Sequence, residues 1–169
     1  MLKRLMICST MMAALAAVSA PAAAQAFEKK HYNYSEWTKG RFSETVTVTG
    51  PARWIFLAGV GAEDENGKGG DILHKGDFIA QCRYAYDKIK RLLAKQGATL
   101  GDVAKMVTYI TDARYQPDYG KCRVEAFGNN SLPAHTLLNI SQLAWPGMMV
   151  EIDVTAVVPA VAANEPLKR

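Results

Sequence analysis

An α/β fold, a single sheet with two helices on one face in the order β-β-α-β-α-β-β, is what this 169-residue chain predicts. Apolar residues spaced three and four apart occur over residues 77–96 and again around 117–127, whereas five shorter stretches alternate or run apolar as strands do. Each helical stretch follows one strand and precedes another, and right-handed crossovers put both helices on the same side of the sheet. The second face then needs a partner of its own, and self-association around clefts is the expected solution.

Residues 27–44, FEKKHYNYSEWTKGRFSE, are polar but carry Tyr32, Tyr34, Trp37 and Phe42. They read as an arm without regular structure whose aromatics dock elsewhere. TVTVTG at 45–50 alternates β-branched residues and stops at Gly50-Pro51; the apolar run 53–60 follows, so a hairpin is expected. The next loop, GAEDENGKGGD, lacks the third glycine of a dinucleotide loop and the Ser or Thr of a phosphate loop, and its acids would repel phosphate. Asp77 is placed to cap the clearest helix, which Gly97 stops, with Phe78, Cys82, Ala85, Ile89, Leu92 and Leu93 along one face and Tyr86 beside it. Residues 102–112 are the next strand, a second helix enters near Pro117 and ends at Gly128, and 134–141 and 148–158 are the last strands. In the final one, Val150, Ile152, Val154 and Ala156 point one way and Glu151, Asp153 and Thr155 the other.

The first 26 residues read as a signal peptide. MLKRL is a positive start, the following apolar run is rich in small residues, and Ala24-Gln25-Ala26 suits cleavage before Phe27. An exported, periplasmic protein is expected, with no membrane contact once the signal is removed. Lys3 and Arg4 leave with it, so eighteen basic residues face sixteen acidic ones and the net charge falls from +4 to +2. That is no footprint for a nucleic-acid partner. Cys82 and Cys122 remain, and both fall on expected helices; two small buried thiols are expected rather than a disulfide. His31, His74 and His135 share no metal-ligand spacing, so no metal and no cofactor is expected. The tail from 159 to 169 reads as flexible.

An ordered series of motifs then stands out: D-x-x-x-Q from Asp77 to Gln81, G-D-V-x-K-x-x-x-Y from Gly101 to Tyr109, E-A-F-G before P-A-x-T, and E-I-D from Glu151. Across residues 45–158 the chain resembles the RidA (reactive-intermediate deaminase, YjgF-type) family. The resemblance implies a chorismate-mutase-like fold, a homotrimer with ligand clefts between subunits, and hydrolysis of enamine or imine intermediates to a keto acid and ammonia. It also implies a carboxylate-clamping arginine in P-A-R-[ST] and a water-activating first acid in E-I-E. Glu151 matches the acid. His135 stands where the clamp should be, and Val60 where many members have glutamine.

Replacing the arginine is a severe change. Arginine offers a permanently charged fork, whereas a histidine of ordinary pKa is charged to roughly a quarter at pH 7. Glu151 and His135 are the candidate catalytic residues, Glu151 being the partner that could hold the His135 ring. His135, Tyr34, Trp37 and Tyr109 are the candidate ligand-binding residues. Three functions remain: an exported deaminase-like hydrolase, a binding protein using the same clefts for a small-molecule ligand, and a ribonuclease. Modest charge and the lack of paired histidines disfavour the last.

Overall fold

The computed structural model describes residues 25–160. All but the last two residues of the expected signal peptide, and all but the first two of the expected tail, therefore lie outside the described residues. Eight principal elements follow one another: β1 (Glu28–Tyr32), β2 (Thr45–Thr49), β3 (Ala52–Phe56), α1 (Phe78–Lys95), β4 (Val103–Ile110), α2 (Gln116–Phe127), β5 (Ala134–Asn139) and β6 (Val150–Pro159). The strands form a four-stranded mixed sheet, β3-β6-β4-β5, and a separate two-stranded ladder, β1-β2. Only β4 and β5 run parallel within the larger sheet, and α2 supplies the crossover between them.

The expected hairpin across Gly50-Pro51 does not form. Pro51 cannot take the positive φ that a type I′ turn requires at its second position. Gly50, at φ 80°, instead turns the chain from one sheet into the other. β2 pairs with β1 from Glu28↔Thr49 to Tyr32↔Thr45, and β3 pairs with β6.

That pairing also corrects the arm. Residues 27–44 contain β1 and a 3-10 turn at Glu36–Thr38. Asn33 Nδ2 donates to Thr38 Oγ1 and to Phe42 O, both at 2.7 Å, and the Ser35 amide donates to Glu44 at 2.8 Å. Thr38 is fully buried. The end of the arm is tied to β5: the Ser43 amide donates to Pro133 O, and Ser43 bridges Ala134. A polar segment is thus ordered through its side-chain hydrogen bonds rather than through a core of its own.

α1 follows the expected pattern. Asp77 accepts a hydrogen bond from the Ala80 amide, and Phe78, Cys82, Ala85, Tyr86, Ile89 and Leu93 are buried against the sheet. Gln81 is buried with them and fully bonded, donating to Gly147 O (2.8 Å) and His74 O (3.2 Å) and accepting from the Met149 amide (2.9 Å). It therefore fixes the turn that delivers β6. Cys82 and Cys122 are joined in a disulfide linking α1 to α2. The helical positions were read correctly, but the expectation of free thiols is overturned because packing of the two helices brings their inward faces together.

Candidate functional site

The sheet register decides which candidate residues can meet. His135 lies opposite Met106 and Leu137 opposite Thr108; Met106 and Thr108 are buried toward the helices. Glu151 lies opposite Tyr109 and Asp153 opposite Val107, on the alternate, open face. His135 and Glu151 thus project from opposite faces of one sheet. The expected pairing of His135 with Glu151 inside a single chain is excluded by the pleat.

The partners of His135 come from α2 and β4 instead. Its Nδ1 lies 2.9 Å from Arg123 Nη1, and its Nε2 lies 3.1 Å from both Tyr119 Oη and Thr108 Oγ1. A guanidinium can only donate, so Nδ1 is the acceptor and the ring proton sits on Nε2. The ring stacks on Tyr119 at 5.4 Å. Tyr119 Oη also meets Thr108 Oγ1 at 2.7 Å and Tyr86 Oη at 3.0 Å, closing a buried polar chain. Burial first, then the charges of Arg123 and Lys105, push the His135 pKa down to about 3. The expectation of a partly charged imidazole therefore fails; His135 is neutral at physiological pH.

Arg123 was missed from the sequence. It is only 7% exposed, lies with its guanidinium carbon 5.4 Å over the Tyr119 ring, and has an Nε without a hydrogen-bond partner among the described residues. The signal was available: Tyr119, Cys122, Arg123 and Phe127 form the buried stripe of α2, and an arginine in such a stripe demands an explanation. Arg53, on β3, donates to Gln96 O at the end of α1 and is not among the partners of His135.

A cleft of about 870 Å³ opens beside these residues, between the arm, α2 and β5. Trp37, Phe42, Tyr119, Arg123, His135 and Leu137 are among its walls. Trp37, expected as a ligand-binding residue, is thus brought to His135, and it packs edge-on against Phe42 at 5.6 Å. Tyr34 is not: it is 84% exposed and lines no cavity described here. Tyr109 belongs to the open face, where its hydroxyl donates to Asp153 at 3.1 Å.

The Glu151 carboxylate rests against the backbone of Gly59. A Cβ built there would lie 1.9 Å from its Oε1, so the close approach requires glycine. Among the described residues no cation or hydrogen-bond donor pairs with this carboxylate. Its pKa is raised, by desolvation first and then by Glu63 and Asp153. Neighbouring Val60 is buried in the core and exchanges backbone hydrogen bonds with Ile152, so it lines no polar site.

Comparison with known proteins adds the following. A family model described as Endoribonuclease L-PSP matches residues 35–158. A RutC family protein of Pyrococcus abyssi is 29% identical over 118 residues, covering 69% of this chain and 86% of that protein. The 3-aminoacrylate deaminase RutC of Acinetobacter baylyi is 28% identical over 117 residues, covering 69% and 89%. Among solved structures, the Rid-family protein YyfB from Yersinia pestis superposes with a TM-score of 0.68 at 23% identity, covering 77% of this chain and 98% of that one. A YjgF/YER057c/UK114-family protein from Mycobacterium tuberculosis gives 0.51 at 29% identity, covering 78% and 100%.

Proposed function

Because the chain belongs to the RidA/YjgF/L-PSP family, we propose that it hydrolyses small imines and their enamine tautomers in clefts shared between subunits of a homotrimer. The observation that carries this reading is Glu151: a half-buried carboxylate, unpaired among the described residues, with its pKa raised. Such a group can take a proton from water and return it within one reaction cycle. Similarity to a 3-aminoacrylate deaminase supports the same chemistry, since 3-aminoacrylate is an enamine.

In the reaction an enamine first takes a proton on carbon and becomes an iminium ion. Glu151 accepts a proton from water as the water oxygen bonds to the iminium carbon, giving a neutral carbinolamine. Glu151 returns that proton to nitrogen. As the C–N bond breaks, the hydroxyl gives its own proton to Glu151, so that ammonia and a carbonyl compound leave and Glu151 releases the last proton to water. No redox partner is needed.

The two-faced sheet supports sharing of the cleft. Arg123 and His135 supply one half and Glu151 the other, and one protomer cannot bring them together. Trp54 and Phe56, 52% and 74% exposed on the face opposite the helices, favour self-association there. An exported, periplasmic location belongs to the same reading, supported by the apolar N-terminal pattern and by the Cys82–Cys122 disulfide, which is at home in an oxidising compartment.

An amino-acid oxidase that generates imino acids in situ, with semicarbazide competing for them, tests the activity. The protein is expected to cut semicarbazone formation and Glu151→Gln to lose the effect. If the wild type protects no imino acid yet binds their keto-acid products, the clefts are binding sites without chemistry.

A further inference from the structure

We propose that Arg123 of α2 is the anion clamp of this protein, replacing the β5 arginine, and that it selects monocarboxylates with a bulky apolar or aromatic side chain. The inference deepens the proposed function, in that it rests on the α2–β5 cleft being the ligand pocket.

The cleft contains a buried positive charge that the protein leaves unanswered. Glu125 pairs with Arg83 at 3.0 Å and Asp118 with Lys121 at 3.1 Å. Among the described residues no carboxylate pairs with Arg123. A buried charge without a counter-charge is costly, and an anion entering from solution relieves that cost. His135 cannot be the cation, because its Nδ1 lone pair is committed to Arg123 Nη1.

The geometry specifies the anion further. With Nη1 engaged by His135, the remaining donors are Nη2 and Nε, the latter without a partner among the described residues. Nε–H and one N–H of Nη2 point from the same side of the guanidinium, the fork that receives two oxygens of one carboxylate. Nε is itself shut off from solvent, so the fork meets a ligand through a small shift of the Arg123 side chain toward the cleft. The Tyr119 ring, 5.4 Å from the guanidinium carbon, helps to hold that fork in place by cation–π attraction. A histidine on β5 thus orients the arginine of α2, which explains why a neutral ring can stand in the clamp position.

Beyond the fork, Trp37, Phe42 and Leu137 give the cleft apolar walls. About 870 Å³ far exceeds what a three-carbon acid fills, so the remaining space suits an aromatic or branched side chain.

Phenylpyruvate, pyruvate and phenylacetone (phenylpyruvate with a methyl group in place of its carboxylate) are the probes, with binding to the purified protein read by calorimetry. Phenylpyruvate is expected to bind at least about tenfold more tightly than either of the others. Arg123→Met, which keeps the stem and removes a buried charge, should abolish the preference for phenylpyruvate over phenylacetone without lowering the Tm. Arg123→Lys should keep the charge but lose the fork, reducing the preference roughly tenfold. A preference unchanged in either folded variant, or equal binding of phenylpyruvate and phenylacetone to the wild type, overturns the proposal. Arg123-dependent binding without imine hydrolysis would sink the deaminase reading and leave the clamp standing; hydrolysis unaffected by Arg123→Met would do the reverse.

Discussion

At the scale of single residues, two titratable groups carry opposite and checkable consequences. His135 has a folded pKa of about 3 against about 6.5 unfolded. Between those values the unfolded chain binds a proton that the folded chain refuses, so this contribution to stability is intact above pH 6.5 and is lost as pH falls toward 3. The groups facing the ring are Arg123 and Tyr119 from α2 and, from β4, Thr108 and the charge of Lys105. His135→Gln keeps an acceptor for Arg123 but cannot be protonated. Its Tm should fall less steeply than that of the wild type between pH 6.5 and 4.5, and parallel curves would contradict the assignment. Glu151 behaves the other way. Its folded pKa is raised, so its contribution is present below the unfolded value and is lost as pH rises through the folded one. Glu151→Gln should therefore raise the Tm at pH 8, by roughly a degree or two, while cutting turnover by roughly 100-fold or more. Asp153→Asn should not cut turnover comparably. The position of His135 was legible from P-A-x-T, but its charge was not. That depends on an arginine one element upstream, and only packing of α2 on β5 reveals the contact.

At the scale of elements, the helices and central strands were legible because their signals are local: a cap at Asp77, a stop at Gly97, alternation through β6. Errors fell where a local signal had to predict a distant partner. Gly50-Pro51 marks a turn correctly, yet whether the flanking strands pair depends on β1 and β6. The arm looked structureless because its order comes from Asn33, Thr38 and Ser43 hydrogen bonds rather than from periodicity. The disulfide is a similar case, since two inward-facing cysteines 40 residues apart pair only if α1 and α2 are neighbours. Closing that loop restricts the unfolded chain by about 4 kcal/mol in the chain-entropy account. Cys82→Ala/Cys122→Ala should therefore lower the denaturant midpoint substantially, and reductant should do the same to the wild type but not to the variant. Neither Cys82 nor Cys122 should label after unfolding without reductant; labelling of both would mean the bond is absent in solution.

At the scale of the whole molecule, the sheet has two faces of different chemistry. Its helix side holds Arg123 and His135 beside the arm, and its open side holds Glu151, Tyr109 and the exposed pair Trp54 and Phe56. A chain that kept both halves to itself could not bring an imine bound at Arg123 to the proton-transfer group at Glu151. Two copies can. The measurement that tests this most directly mixes two defective variants, Arg123→Met and Glu151→Gln, by unfolding and refolding them together in equal amounts. Each alone should be inactive toward imino acids. In randomly mixed trimers one cleft in four would combine an intact Arg123 half with an intact Glu151 half, so about a quarter of wild-type activity should return. Mixed oligomers that form but show no more activity than the separate variants would contradict a shared cleft.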